Sequence, residues 1–232
     1  MSGDFHQHTY YTDGSTTFDF VMEKSNEYGL DWWANSEHGG NRNRNGDGDY
    51  WEALDPPVTI LGNVAFSGGH QVMWRWQSLR DVVFPDILDA RALYPLNRVF
   101  SGLEWNVPGH EHCSTAIVGE DASAIRAFEH QFDKSDTDTS RNGEDTPYGT
   151  LTKQNGRDPV TQATKSEGID RHLDTVAACG WMQDQYDAGT IDNAWIIFAH
   201  VERAGVFKTG PSDGGYNVEH FRDLNTTSTC RR

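Results

Sequence analysis

The sequence predicts an α/β fold of barrel type, on three observations. Candidate strands alternate with helical stretches, and the second strand is apolar on consecutive residues, as in a parallel strand covered on both faces. Polar, ligand-type residues also gather at or just beyond the C-terminal ends of four of five candidate strands, the edge at which α/β barrels assemble their chemistry. The 232 residues suit a single domain, residues 1–232, because such barrels run to roughly 200–250 residues as one unit.

The first strand is expected from Asp4 to His8, close to the start of the chain. A helix follows, N-capped at Thr16 or Thr17, with Phe18, Val21, Met22 and Tyr28 near a 3.6-residue repeat and Gly29 as its stop. The second strand spans Leu30 to Asn35 and leads into Glu37-His38. Residues Gly39 to Asp49, rich in Asn, Gly, Asp and Arg, form a loop. A helical stretch then covers Val72 to Leu93, and Pro85 should start or kink a second segment there.

Arg98 to Glu104 reads as the third strand and Cys113 to Val118 as the fourth, followed by a helix near Ala122 to Phe132. The polar stretch Asp133 to Asp158 is a long loop, either a cover over a site or a plain surface insertion. A last helix around Thr161 to Tyr186 leads into a strand Ala194 to Ala199, which ends at His200. Residues 206–232 read as an irregular tail.

Hydrophobic residues make up 36% and aromatics 12%, with eight Trp, so the chain can bury a core and is not a disordered polymer. The formal charge of −16 sets 35 acidic against 19 basic residues, only five of them Lys. That balance excludes a general nucleic-acid face, which needs Lys and Arg for phosphates. An acidic surface of this kind suits a salty habitat or is simply solvated, and it helps to retain cations. Cys113, Cys179 and Cys230 are widely spaced and signal neither a zinc ribbon nor a disulfide framework. Neither an apolar run of membrane-spanning length nor the pattern of a signal peptide occurs, so the chain as given is expected to be soluble, its compartment open.

The candidate chemistry is a metal site. His6 and His8 stand at i, i+2, so on a strand both imidazoles point the same way and reach one ion. Asp13 lies on the following turn, His38 after the second strand, Glu104 at the end of the third, His110 and His112 before the fourth and His200 at the end of the fifth. Neutral imidazole suits Zn, Mn or Fe, and a carboxylate such as Glu104 can bridge two cations. Glu37 either orients ligand imidazoles or is solvated. His70, His130, His172 and His220 lack such placement and read as structural; Glu202 reads as a surface residue, and Arg203 either binds an anionic group or pairs on the surface.

His6-Gln7-His8-Thr9 with Asp13-Gly14, Glu37-His38-Gly39, Gly102-Leu103-Glu104 and Ala199-His200-Val201-Glu202-Arg203 resemble the motifs of the PHP (polymerase and histidinol phosphatase) superfamily. The similarity spans residues 4 to about 205. It implies a distorted (β/α)7 TIM-like barrel holding two or three divalent metals, Zn, Mn or Fe, for hydrolysis of phosphate esters. Residue by residue it implies His6, His8, Asp13, His38, Glu104 and His200 as ligands, with His112 the better match to the third motif and His110 a close competitor. Glu104, Asp13 and Arg203 would then act on the substrate.

The superfamily's closing Asp-x-His pair has no counterpart after His200, where Asp213 lies in a Gly-rich turn and His220 follows Glu219. The barrel is therefore expected to be incomplete, truncated at its C-terminus. Phosphate mono- or diesters are the expected substrates, with triesters or sulfate esters as promiscuous ones. The competing readings are a non-catalytic, metal-binding remnant and a metal-dependent amide or carboxyl-ester hydrolase. No G-x-S-x-G elbow, P-loop or dinucleotide fingerprint supports another enzyme class. The expected partner is a small phosphate ester, with no membrane, and a second copy is a candidate to cover exposed strand edges.

Overall fold

The computed structural model describes residues 1–118, 122–158, 161, 163, 165 and 169–199. It is a mixed α/β structure built on a curled, half-barrel sheet of five strands: β1 Gly3–Asp4, β2 Trp32–Ala34, β3 Arg98–Asn106, β4 His112–Val118 and β5 Asn193–Phe198. Their spatial order follows the sequence, with β1, β2 and β3 parallel. β4 is antiparallel to both β3 and β5, with Glu104 opposite Ser114 and Asn106 opposite His112. The connection from Asn106 to His112 is far too short for a parallel crossover, which takes a dozen or more residues. Seven strand–helix repeats are not seen among the described residues.

Helix α1, Phe18–Glu27, starts where Thr17 Oγ1 accepts the Phe20 N–H at 3.2 Å, and its chain turns away at Gly29 with φ +70°. The stretch after the first long loop divides as Pro85 demands. It runs through α2, Arg75–Ser78, then a wide π turn, Leu79–Val83, and then α3, Phe84–Leu93. At the join Phe84 N donates to Leu79 O, a step of five residues, immediately before the proline that has no N–H to give.

Helix α4, Ser123–Phe132, and α5, Ile169–Asp187, complete the layer against the sheet. The convex sheet face supplies Trp33, Val99, Leu103, Trp105, Cys113 and Ile117 to the core, against Phe18, Met22, Leu79, Ile87, Phe128 and Phe132. Cys113 and Cys179 are buried.

Two expectations are corrected. The second strand is not covered on both faces: Trp33 is buried, while Trp32 is half-buried on the concave side beside Phe5, Phe100 and Trp195. The long loop after α4 is exposed over residues 140–150 but buried at both of its ends. Asp133, Asp136, Asp138, Lys153 and Asn155 are all buried, and Lys153 Nζ meets His130 O at 2.6 Å and Asp136 Oδ2 at 2.8 Å. The loop seals the outer side of α4, which is why that helix buries Glu129 and His130 as well as its apolar residues.

Candidate metal centre

Register explains the cluster. Glu104 lies on the concave face of β3, opposite Ser114 of β4, and the β2–β3 pairing is extended past Ala34 by a parallel bridge between His38 and Glu104. Glu104 N donates to Glu37 O at 3.0 Å and Gly39 N to Glu104 O at 3.2 Å, so His38 is fastened beside Glu104 through the backbone. The first strand is only two residues long, and His6 and His8 follow it in extended chain rather than on it. His112 begins β4, and the antiparallel direction of that strand carries it to the same edge.

Four imidazoles and two carboxylates converge there. Glu104 Oε2 lies 3.2 Å from His8 Nε2 and 3.0 Å from His38 Nδ1; its Oε1 lies 3.1 Å from His112 Nδ1 and 3.8 Å from His6 Nε2. Asp13 spans the outer side, with Oδ1 3.1 Å from His8 Nδ1 and Oδ2 3.3 Å from His38 Nε2. Three overlapping groups result, His6–His8–Glu104, His8–Asp13–His38 and His38–Glu104–His112, each with ligand atoms within 4.8 Å of one another. Nitrogen and carboxylate oxygen in this mixture fit Zn, Mn or Fe. Ligand-type atoms this close together could hold a metal ion.

Burial alone would raise the carboxyl of Glu104, but His112, His38 and His8 outweigh it and hold the group far below the ordinary glutamate range. For His8 the balance has the opposite sign: burial lowers it, and Glu104, Glu37 and Asp13 raise it above 6.5. Asp13, about half exposed, is held below the ordinary aspartate value because His38, His8 and Arg42 together exceed its desolvation.

A layer of residues behind the ligands fixes them. His6 Nδ1 is 2.8 Å from Ser114 Oγ, which turns Nε2 toward Glu104. Glu37 is neither solvated nor bonded to an imidazole. Its carboxylate accepts from Thr9 N at 2.7 Å, from Thr9 Oγ1 at 2.5 Å and from the Thr12 hydroxyl, tying the first loop to the second. Burial pushes its carboxyl up. Fully buried Arg75 donates from Nε to His38 O at 2.8 Å and from Nη2 to Tyr11 O at 2.9 Å, clamping the same two loops.

Two glycines permit these approaches. A Cβ on Gly14 would run into the His8 carbonyl, and Gly40, at φ +93°, sends its N–H to Glu129 Oε1 at 2.8 Å.

His110 stands apart from the three ligand groups. It is buried in the β3–β4 connection and its carbonyl accepts from Lys134 Nζ at 2.8 Å. His70 stacks on Tyr50 with ring centroids 3.3 Å apart and bonds Glu52, and His130 belongs to the buried loop network. His200, Glu202, Arg203, Asp213, His220 and Cys230 lie outside the described residues, as does the side chain of His172.

Ser114 and Arg75 were not among the sequence candidates. Nothing local marks either, because each acts across a long stretch of chain, whereas Thr9 and Glu37 lie within the stretches His6-Gln7-His8-Thr9 and Glu37-His38-Gly39. No helix among the described residues is long and apolar enough to cross a membrane. No family model, no curated protein and no solved structure matches this chain.

Proposed function

We propose that this chain is a metal-dependent hydrolase of phosphate esters, built as a barrel of the PHP type. The observation that carries the reading is the position of Glu104, a fully buried carboxylate shared by two overlapping ligand groups whose remaining members are all imidazoles. His6, His8, Asp13, His38, Glu104 and His112 would hold two or three divalent cations, with His200 as a further ligand. When bound, such cations supply Lewis acidity toward a phosphoryl oxygen and make water acidic enough to serve as nucleophile near neutral pH.

The chain's own residues do the rest. Glu104 keeps its negative charge and offsets cationic charge at the base of the site. Asp13 faces solvent and can accept a proton from an entering water. Ala199 N is bonded to His112 O at 3.2 Å, so the chain reaches residue 199 beside the ligand cluster, and Arg203 is assigned to the anionic group of the ester. The half-barrel carries the cluster at one end of its concave face, and its antiparallel β4 departs from an all-parallel (β/α)7 barrel.

The test is metal analysis of protein purified without chelator, then assay with p-nitrophenyl phosphate and bis-p-nitrophenyl phosphate in added Mn or Zn. Metal-dependent turnover is expected. His6→Ala and His8→Ala should lower bound metal and reduce turnover at least about a hundredfold. Bound metal without hydrolysis of any ester would assign the chain to a metal-binding module, and faster turnover of a carboxyl ester than of every phosphate ester would change the substrate class.

A further inference from the structure

The loop after α4 holds a nucleophile that the metal centre does not use. Lys153, Asp136 and the His130 imidazole are each 0% exposed, and none of them belongs to the three ligand groups. A lysine is almost never withdrawn so completely from water without a partner, because its charge and that of the partner both lose their hydration.

The chain on both sides of Lys153 is fastened. Gln154 N donates to Gln131 O at 2.7 Å and Thr152 N to Gln131 Oε1 at 3.3 Å, which ties this arm of the loop to the last turn of α4. Asn155 Nδ2 donates to Asp133 O at 2.9 Å and to Asp136 O, which draws the other arm in. Lys153 Nζ then donates to His130 O at 2.6 Å.

Its contact with Asp136 is of another kind. Nζ stands 2.8 Å from Oδ2 without the alignment of a hydrogen bond. Oδ1 of the same carboxyl accepts the Asp138 N–H at 2.7 Å. His130 Nδ1 lies 3.3 Å from Nζ and 3.3 Å from Oδ2, and burial keeps the imidazole below 6.5 although Asp136 opposes it. An amine, a carboxyl carbon, a backbone N–H on one carboxyl oxygen and a proton carrier beside the other therefore meet in one dry place.

We propose that Lys153 and Asp136 join in an intramolecular isopeptide bond, a covalent clasp between the two arms of this loop. The bond from Nζ to Cγ forms as the bond from Cγ to Oδ2 breaks. Starting from ammonium and carboxylate, Nζ gives up two protons, His130 Nδ1 relays them to Oδ2, and one water leaves. The amide keeps a single N–H, and no oxidant, reductant or cofactor takes part. The Asp138 N–H steadies Oδ1 while negative charge builds on it. Exclusion of water favours the neutral amide over an ion pair that the interior solvates poorly. The assignment does not rest on the hydrolase reading, because none of these residues belongs to the ligand cluster.

The experiment is intact-mass spectrometry of the full, purified chain, followed by tryptic mapping. The parent is expected one water lighter than Lys153→Met and Asp136→Ala once the substituted side chains are allowed for. In its digest residues 135–141 should be recovered joined to residues 142–157, with no cleavage after Lys153. His130→Gln, folded by circular dichroism, should remain largely unconverted when the parent is complete.

A parent at the full mass of its sequence would overturn the proposal. So would a loss of water that persists in Lys153→Met, or one that maps elsewhere, as to a succinimide at Asp13-Gly14 or Asp47-Gly48. Complete conversion of His130→Gln alongside the parent would overturn the proton relay assigned to His130.

Discussion

Burying a carboxylate costs several kcal/mol unless partners replace its water, and Glu104 has replaced water with three imidazoles at 3.0–3.2 Å. Its candidacy as a ligand could be read from Gly102-Leu103-Glu104 at a strand end. What kept His38 and Asp13 near it could not. The clamp is Arg75, 37 residues beyond His38 and without any local pattern, whose guanidinium bonds the carbonyls of His38 and Tyr11. Arg75→Lys keeps the buried charge but cannot span both carbonyls with a fixed fork. We expect it to weaken metal affinity about 10–100-fold, the range for residues that orient ligands, with helix content retained. Competition against a fluorescent chelator would measure it, and parent-like affinity would remove Arg75 from this role.

Elements were the most legible level, because their ends carry punctuation with a physical cause. Thr17 caps α1, Gly29 stops it, and Pro85 divides the long helical stretch by widening the turn before it. The direction of β4 was written in the sequence too, in the five residues between Asn106 and His112, but strand-by-strand periodicity carries no direction. The fate of the polar loop after α4 was not written there, since its aspartates look solvated until Lys153 and His130 are brought to them.

Between elements, Tyr11 OH donates to Asp86 Oδ2 at 2.7 Å and docks α3 on the loop that follows His8. Burial raises Asp86 from 3.8 to about 6; the Tyr11 hydrogen bond opposes this, and Asp19, Asp89 and Asp47 add to it. Because the folded protein holds this proton more tightly than the unfolded chain, the contribution is complete below about pH 4 and is lost as pH rises through about 6. With the group only partly buried, roughly 1–2 kcal/mol is expected. Urea midpoints at pH 4.5 and 7.5 should differ less in Asp86→Asn than in the parent, and equal differences would contradict the assignment.

At the scale of the molecule, the concave face is the feature that single elements did not announce. Phe5, Trp32, Phe100, Trp195 and Ile197 line a groove of about 420 Å³ on the same side of the sheet as Glu104. Apolar faces of this kind associate. Light scattering of the full chain is expected to give a mass above the 26.1 kDa of one copy, reduced by Trp195→Ser; a single-copy mass with no binding of a hydrophobic dye would show the groove filled from within the chain.

The two-residue first strand has a different consequence. Among the described residues its strand pairing is limited to Gly3–Trp32 and Asp4–Trp33, supplemented by hydrogen bonds of Ser2 with Asp31 and of Gln7 with Ser36, while His6 and His8 join it to Ser114 and Glu104, about a hundred residues away. An ion held by those imidazoles would therefore also latch this segment to the sheet. Stripping it with a chelator should open residues 1–8 to an aminopeptidase or to rapid amide exchange while β3 and β4 stay protected, and restoring the metal should close them again.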